Sequence, residues 1–180
     1  MLAFAAVGVA CSAAPTTVPE AFASEALALE QRTLADVVAH FPEAEAALDR
    51  AVGYAIFSSR ARKVPVVGRG EGLGVAVDRE SGERRYLRVT HFDVGGGLGD
   101  LTYRFVIVYF DRGQFERLRT GTVQVGANVD AATGSDPEGD GRSAWGKTAN
   151  ASRAVYVLSD RGAAAIWTIR LLRVTPLEES

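Results

Sequence analysis

The chain has 180 residues, a length that suits one domain. Hydrophobic residues make up 47% and charged residues 23%, a globular balance that excludes wholesale disorder. Lys+Arg number 20 against 22 Asp+Glu, for a net charge of -2, so no global field selects nucleic acid or an anionic membrane. Any electrostatic preference must come from a local patch.

The front of the chain reads as an address. Leu2 to Ala10 is apolar and small, far short of the ~20 residues that span a bilayer, and matches a secretory apolar run. It leads directly into Cys11, the only cysteine, followed by Ser12, Ala13, Ala14 and Pro15. Small residues before a lone Cys resemble the bacterial lipobox, in which the thiol is lipidated and the chain is cut before it. Two acyl chains anchor stably, at ~0.8 kcal/mol per buried CH₂. The resemblance implies an outer-membrane lipoprotein facing the periplasm. A plain signal peptide with an incidental Cys, giving a soluble periplasmic protein, is the alternative. A single thiol also rules out an intrachain disulfide and a thiolate-built metal site. Residues 1–11 are thus a signal and lipobox segment, and 12–23, rich in Pro, Thr and Ala, form a tether.

The domain proper is expected over 24–180. Ser24-Glu25 opens a helix whose Leu27, Leu34, Val38 and Phe41 recur at helical spacing. Pro42 ends it and begins a second helix, with Glu43 and Glu45 at its N-terminus and Gly53 at its close. From Tyr54 the period changes to two. Tyr54–Phe57 is a short strand, and Arg60–Gly68 a basic loop around Pro65. Gly70–Asp78 and Arg85–Phe92 form a hairpin across Glu80–Glu83. Tyr103–Phe110, with apolar residues on both faces, is expected as a central strand covered on both sides. Asp111 caps a short helix with Phe115 and Leu118 inward. Thr122–Ala132 alternates as a strand, Thr133–Gly146 is a polar loop, and Val155–Ser159 with Ala164–Val174 make a closing hairpin. The fold class expected is α+β: two N-terminal helices, then a glycine-rich antiparallel sheet, strongly curled or closed as a small barrel, with one intervening helix. The curl is inferred from the strand glycines.

Several segments together resemble the SYLF domain family. They are Leu48-Asp-Arg-Ala-Val-Gly-Tyr-Ala-Ile-Phe57, the spaced Gly68, Gly70, Gly72 and Gly74, Ser81-Gly82 before Tyr86, and Val94-Gly-Gly-Gly-Leu-Gly-Asp-Leu-Thr-Tyr103. Val106–Phe110, Gly126-Ala-Asn-Val129, Ser159-Asp-Arg-Gly162 and Leu172-Arg-Val-Thr-Pro176 complete the order. The resemblance spans about Ala44 to Leu177. It implies a lipid-binding domain without catalysis. It departs at Arg170 and Arg173, where small or acidic residues are common in the family.

The charge is distributed to match. Before Arg60 there are two basic residues, Arg32 and Arg50, against seven acidic ones. From Arg60 to Arg88 the basic residues are Arg60, Arg62, Lys63, Arg69, Arg79, Arg84, Arg85 and Arg88, opposed by Glu71, Asp78, Glu80 and Glu83. Arg60, Arg62, Lys63 and Arg69 are the candidate headgroup contacts, since a guanidinium fork donates two hydrogen bonds to phosphate. The competing reading is a solvated basic loop. Trp145, an aromatic in a polar loop, is the further lipid-binding candidate at a membrane interface, or else a lid over the sheet.

Other motifs carry less. Gly141-Arg-Ser-Ala-Trp-Gly-Lys-Thr148 fits a P-loop pattern literally, yet an acidic segment precedes it instead of a buried strand. No nucleotide, nucleic acid, metal or other cofactor is therefore expected. His40 ends a helix, and His91 alternates with Leu87 and Val89 as a half-buried strand residue. The expected partner is a phospholipid or other amphiphile at a membrane surface. The rival is an envelope interaction protein that docks a protein partner through its sheet.

Overall fold

The computed structural model describes residues 18, 20–63, 67–94, 99–126, 145–161 and 169–178. Helix α1 spans Glu20–His40 and α2 spans Glu43–Asp49. In α1 the buried positions Ala26, Leu29, Glu30, Thr33 and Val37 fall on one helical stripe. The helix begins four residues ahead of the Ser24 start expected from sequence. Phe22, expected in the tether, meets the Tyr86 ring edge-on at 6.0 Å. Pro42 disfavours helix at Phe41, which separates the two helices, and sits at the N-cap of α2 with φ -54°.

Eight strands follow, with one helix among them. They are β1 Gly53–Lys63, β2 Val67–Asp78, β3 Arg84–Val94, β4 Gly99–Tyr109, β5 Thr122–Gly126, β6 Trp145–Ala149, β7 Arg153–Arg161 and β8 Ile169–Pro176. Helix α3, Arg112–Arg119, lies between β4 and β5. Its N-cap is Asp111, whose carboxylate accepts from the Gln114 amide at 2.8 Å. The strand order is β5-β8-β3-β2-β1-β4-β7-β6, and every pairing is antiparallel.

This order corrects the expectation of a strongly curled sheet or barrel. Closure would pair β5 with β6, and among the described residues these two strands are the open edges. The expected closing hairpin is also overturned: β7 pairs with β4 and β6, while β8 pairs with β3 and β5. The physical reason for an open sheet is that both faces of its centre are already covered. Tyr54, Ile56, Val75, Val77, Val106 and Val108 share one core with Leu29 and Val37 of α1, Phe41 just after it, and Ala47 and Leu48 of α2. Ala55, Phe57, Ala76, Phe105, Ile107 and Tyr109 share the other with Phe115 and Leu118 of α3. Each fully buried large apolar side chain contributes ~1.5–3 kcal/mol, so neither face gains by curling onto itself.

The strand glycines serve packing rather than bending. A Cβ at Gly74 would fall inside the Phe57 ring, one at Gly70 inside the His91 ring, and one at Gly53 inside the Phe115 ring. Gly53 therefore starts β1 beneath α3 rather than closing α2, which ends on Arg50. Gly70 and Gly74 thus leave room for neighbouring rings, and Gly72 for the Ser58 carbonyl and Ser59.

Candidate functional site

Helix α1 crosses the strands of its face at an angle. Phe22 meets β3 at Tyr86, Glu30 meets β1 at Tyr54, and Phe41, just beyond the helix, meets β7 at Tyr156 with ring centroids 5.3 Å apart. Two polar groups fix this placement. Buried Glu30 accepts from the Tyr54 hydroxyl at 2.7 Å and pairs with Arg84 at 3.2 Å. Arg104 of β4 donates to Asp160 of β7 at 2.6 Å, pairs with Asp36 of α1 at 2.7 Å, and donates to the Thr33 hydroxyl at 3.3 Å. Burial and then the bond to Glu30 push the Tyr54 phenol far above its ordinary pKa. The Asp160 bond holds the Arg104 guanidinium more firmly protonated, against the cost of its burial.

The helix leaves the far end of its face open. Strand side chains alternate, so the even positions of β1 and the odd positions of β2 share the face that bears α1. Two rows of register-aligned residues lie beyond the helix there. One runs Thr102, Arg60, Glu71, Thr90, Arg173 across β4, β1, β2, β3 and β8. The next runs Asp100, Arg62, Arg69, Phe92, Leu171 across the same strands. Arg60, Arg62, Arg69, Glu71, Phe92 and Arg173 are all exposed.

The structure therefore relocates the expected basic loop. Arg60, Arg62 and Lys63 belong to β1, and Arg69 to β2, with only residues 64–66 between the strands. The Arg60-Ala61-Arg62 alternation is a strand pattern, with Ala61 buried on the opposite face. Arg60, Arg62 and Arg69 come together on one surface, and Arg62 stands directly opposite Arg69. Like charges facing each other across a strand pair are unfavourable, and Asp100 of β4 holds the register place on the other side of Arg62. The side chain of Lys63 lies outside the described residues. So does that of Trp145, whose backbone opens β6 in place of the expected loop. Cys11, Pro65, Trp167 and residues 141–144 of the P-loop-like segment also lie outside them. Lys147 and Thr148 of that segment sit in β6 paired to β7, where a P-loop requires a helix.

Sequence reasoning missed Phe92 and Arg173 on this surface. The signal was present in β3. Leu87, Val89 and His91 point to the α3 side, which assigns Arg88, Thr90 and Phe92 to the arginine side.

On the α3 side, His91 is buried rather than half-buried. Its Nε2 and the Tyr103 hydroxyl share a hydrogen bond at 3.0 Å. Near α3, Asp78 gathers Arg112, Arg119 at 3.6 Å, and the amides of Glu80 and Ser81 at 2.9 and 3.2 Å. Burial alone would raise the Asp78 pKa, yet the bonds from Arg112 and the two amides overcome it and hold the carboxyl below its ordinary value. Among the described residues, no group of three or more His, Cys, Asp and Glu is arranged to hold a metal. No helix among them is long and apolar enough to cross a membrane.

No family model matches the chain. It is similar to Beta cell expansion factor A of Aeromonas veronii, 26% identical over 121 residues. That match covers 67% of this chain and 44% of the relative, so the chain spans less than half of that protein's length.

Proposed function

We propose that this chain is a non-catalytic lipid-binding domain of the SYLF type, which sets its exposed arginine surface against the headgroups of an anionic membrane. The observation that carries this reading is the placing of Arg60, Arg62 and Arg69 on one open face, with Arg62 opposite Arg69. Guanidinium forks match phosphate oxygens two at a time, and each basic residue near an anionic leaflet contributes ~1 kcal/mol. The SYLF-like order of motifs from Leu48 to Pro176 supports the assignment, and so does the distant relationship just described. Lipidated Cys11 would then hold the domain at the bacterial outer membrane, facing the periplasm, so that the arginines meet a surface already close by.

The test is association of the Cys11→Ser chain with vesicles, which removes the covalent anchor and leaves the domain. Binding to phosphatidylglycerol vesicles, weakening as salt rises, and none to pure phosphatidylcholine is the expected result. A chain that stays in solution with both would instead be a protein-docking module of the envelope.

A further inference from the structure

We infer that Phe92 is the membrane-penetrating residue of this surface, an apolar wedge that enters the acyl layer between arginines that hold the headgroups. This inference rests on the lipid-binding reading above and adds a residue and a depth to it. Phe92 is 44% exposed, one of two large hydrophobic side chains exposed to this degree among the described residues. It stands directly across from Arg69 on β2, and Arg62 holds the next place in the same row on β1. Arg173 lies diagonally across on β8, opposite Thr90. Neighbouring strands are ~4.8 Å apart, so the arginines stand within one or two strand spacings of the ring. Among the described side chains of these two rows Glu71 is the opposing exposed charge, one row closer to α1, and Asp100 holds the place beside Arg62 in register.

The arrangement suits a bilayer rather than open water. The other half of β3 puts Leu87, Val89 and His91 into the core, so the Phe92 ring is not needed there. A ring in water beside charged forks keeps its apolar surface wet. Against a leaflet, the forks meet phosphate and the ring crosses into the acyl boundary at the same depth of approach. Among the described side chains of these rows, Arg60, Arg62, Arg69 and Arg173 stand against Glu71, a net charge complementary to an anionic leaflet. Binding then has two parts, one screened by salt and one not.

The experiment uses the full chain with Cys11→Ser and a single new cysteine carrying an environment-sensitive NBD dye, either Phe92→Cys or Arg117→Cys. Arg117 is exposed on α3, on the other face of the sheet. Mixed phosphatidylglycerol and phosphatidylcholine vesicles should shift the emission at position 92 to the blue, with quenching by brominated acyl chains, and leave position 117 unchanged. Without dye, Phe92→Ala should bind the same vesicles about tenfold more weakly with an unchanged salt slope, and Phe92→Leu should bind as the parent does. If the parent binds and the dye at 92 stays water-exposed, the wedge is overturned and the lipid-binding reading stands. If the parent binds no vesicle, both are overturned.

Discussion

The Tyr103 hydroxyl and His91 Nε2 meet at 3.0 Å, although β2 and β1 lie between their strands. Glycine makes this possible. The His91 ring occupies the volume that a side chain at Gly70 would take. Gly70→Ala places a methyl into that ring and 2.8 Å from the Arg60 carbonyl. Overpacking of this kind costs ~1–3 kcal/mol, and a fall in midpoint denaturant concentration measures it. The double variant Gly70→Ala/His91→Ala should lose less than the sum of the two single losses, since removing the ring relieves its share of the clash and leaves only the contact with the Arg60 carbonyl.

The Asp78 clasp makes the domain acid-sensitive. Its carboxyl is held below the ordinary 3.8 in the folded state, so the unfolded chain takes up the proton first. The stabilising contribution is complete above that ordinary value and is lost as pH falls through the folded value. Thermal scans between pH 5 and pH 2 should show a falling melting temperature. Asp78→Asn, which weakens the pairing with Arg112 and the hold on the Ser81 and Glu80 amides, should flatten that fall and lower stability at neutral pH by ~1–3 kcal/mol.

Arg104 is the larger of the two polar attachments of α1. Arg104→Met leaves Asp36 and Asp160 without their shared cation, though both are partly solvated and recover some hydration. A loss of ~2 kcal/mol is expected, with faster hydrogen exchange in α1 than in β1. Arg104→Lys should restore little, because an ammonium lacks the fork that reaches Asp36, Asp160 and Thr33 together. One turn earlier on the same face of the helix, Tyr54→Phe removes one bond to Glu30 and should cost ~1–2 kcal/mol.

Local signals in the sequence mark several elements well, and long-range ones poorly. The stripe of α1, the Pro42 break, the Asp111 cap and the turn before β3 are each decided by residues close in the chain. The ends of β1 and β2 were misread because Pro65 and four nearby charges look like a loop, although Arg60-Ala61-Arg62 already alternates. Gly70, Gly72 and Gly74 suggested curvature. Only the groups packed against them, the His91 and Phe57 rings and Ser58–Ser59, all outside β2, reveal the packing they permit. The separation of β7 from β8 was likewise invisible, since adjacent strands in sequence usually pair. For the candidate surface, Arg60, Arg62 and Arg69 were legible as a cluster. The hairpin of β2 and β3 with the alternation of β3 already places Phe92 beside Arg69, whereas Arg173 joins only once β3 and β8 are known to be neighbours.

The most direct measurement is the affinity of the Cys11→Ser chain for phosphatidylglycerol vesicles, compared by flotation with the same chain carrying Arg60→Glu, Arg62→Glu and Arg69→Glu. All three positions are exposed, so the variant should melt close to the parent. The account predicts that the parent floats and the variant does not, a loss of at least about a hundredfold from three headgroup contacts at ~1 kcal/mol each and the repulsion that replaces them. Equal flotation of both chains would contradict it, because lipid would then be held somewhere other than the arginine face beyond α1.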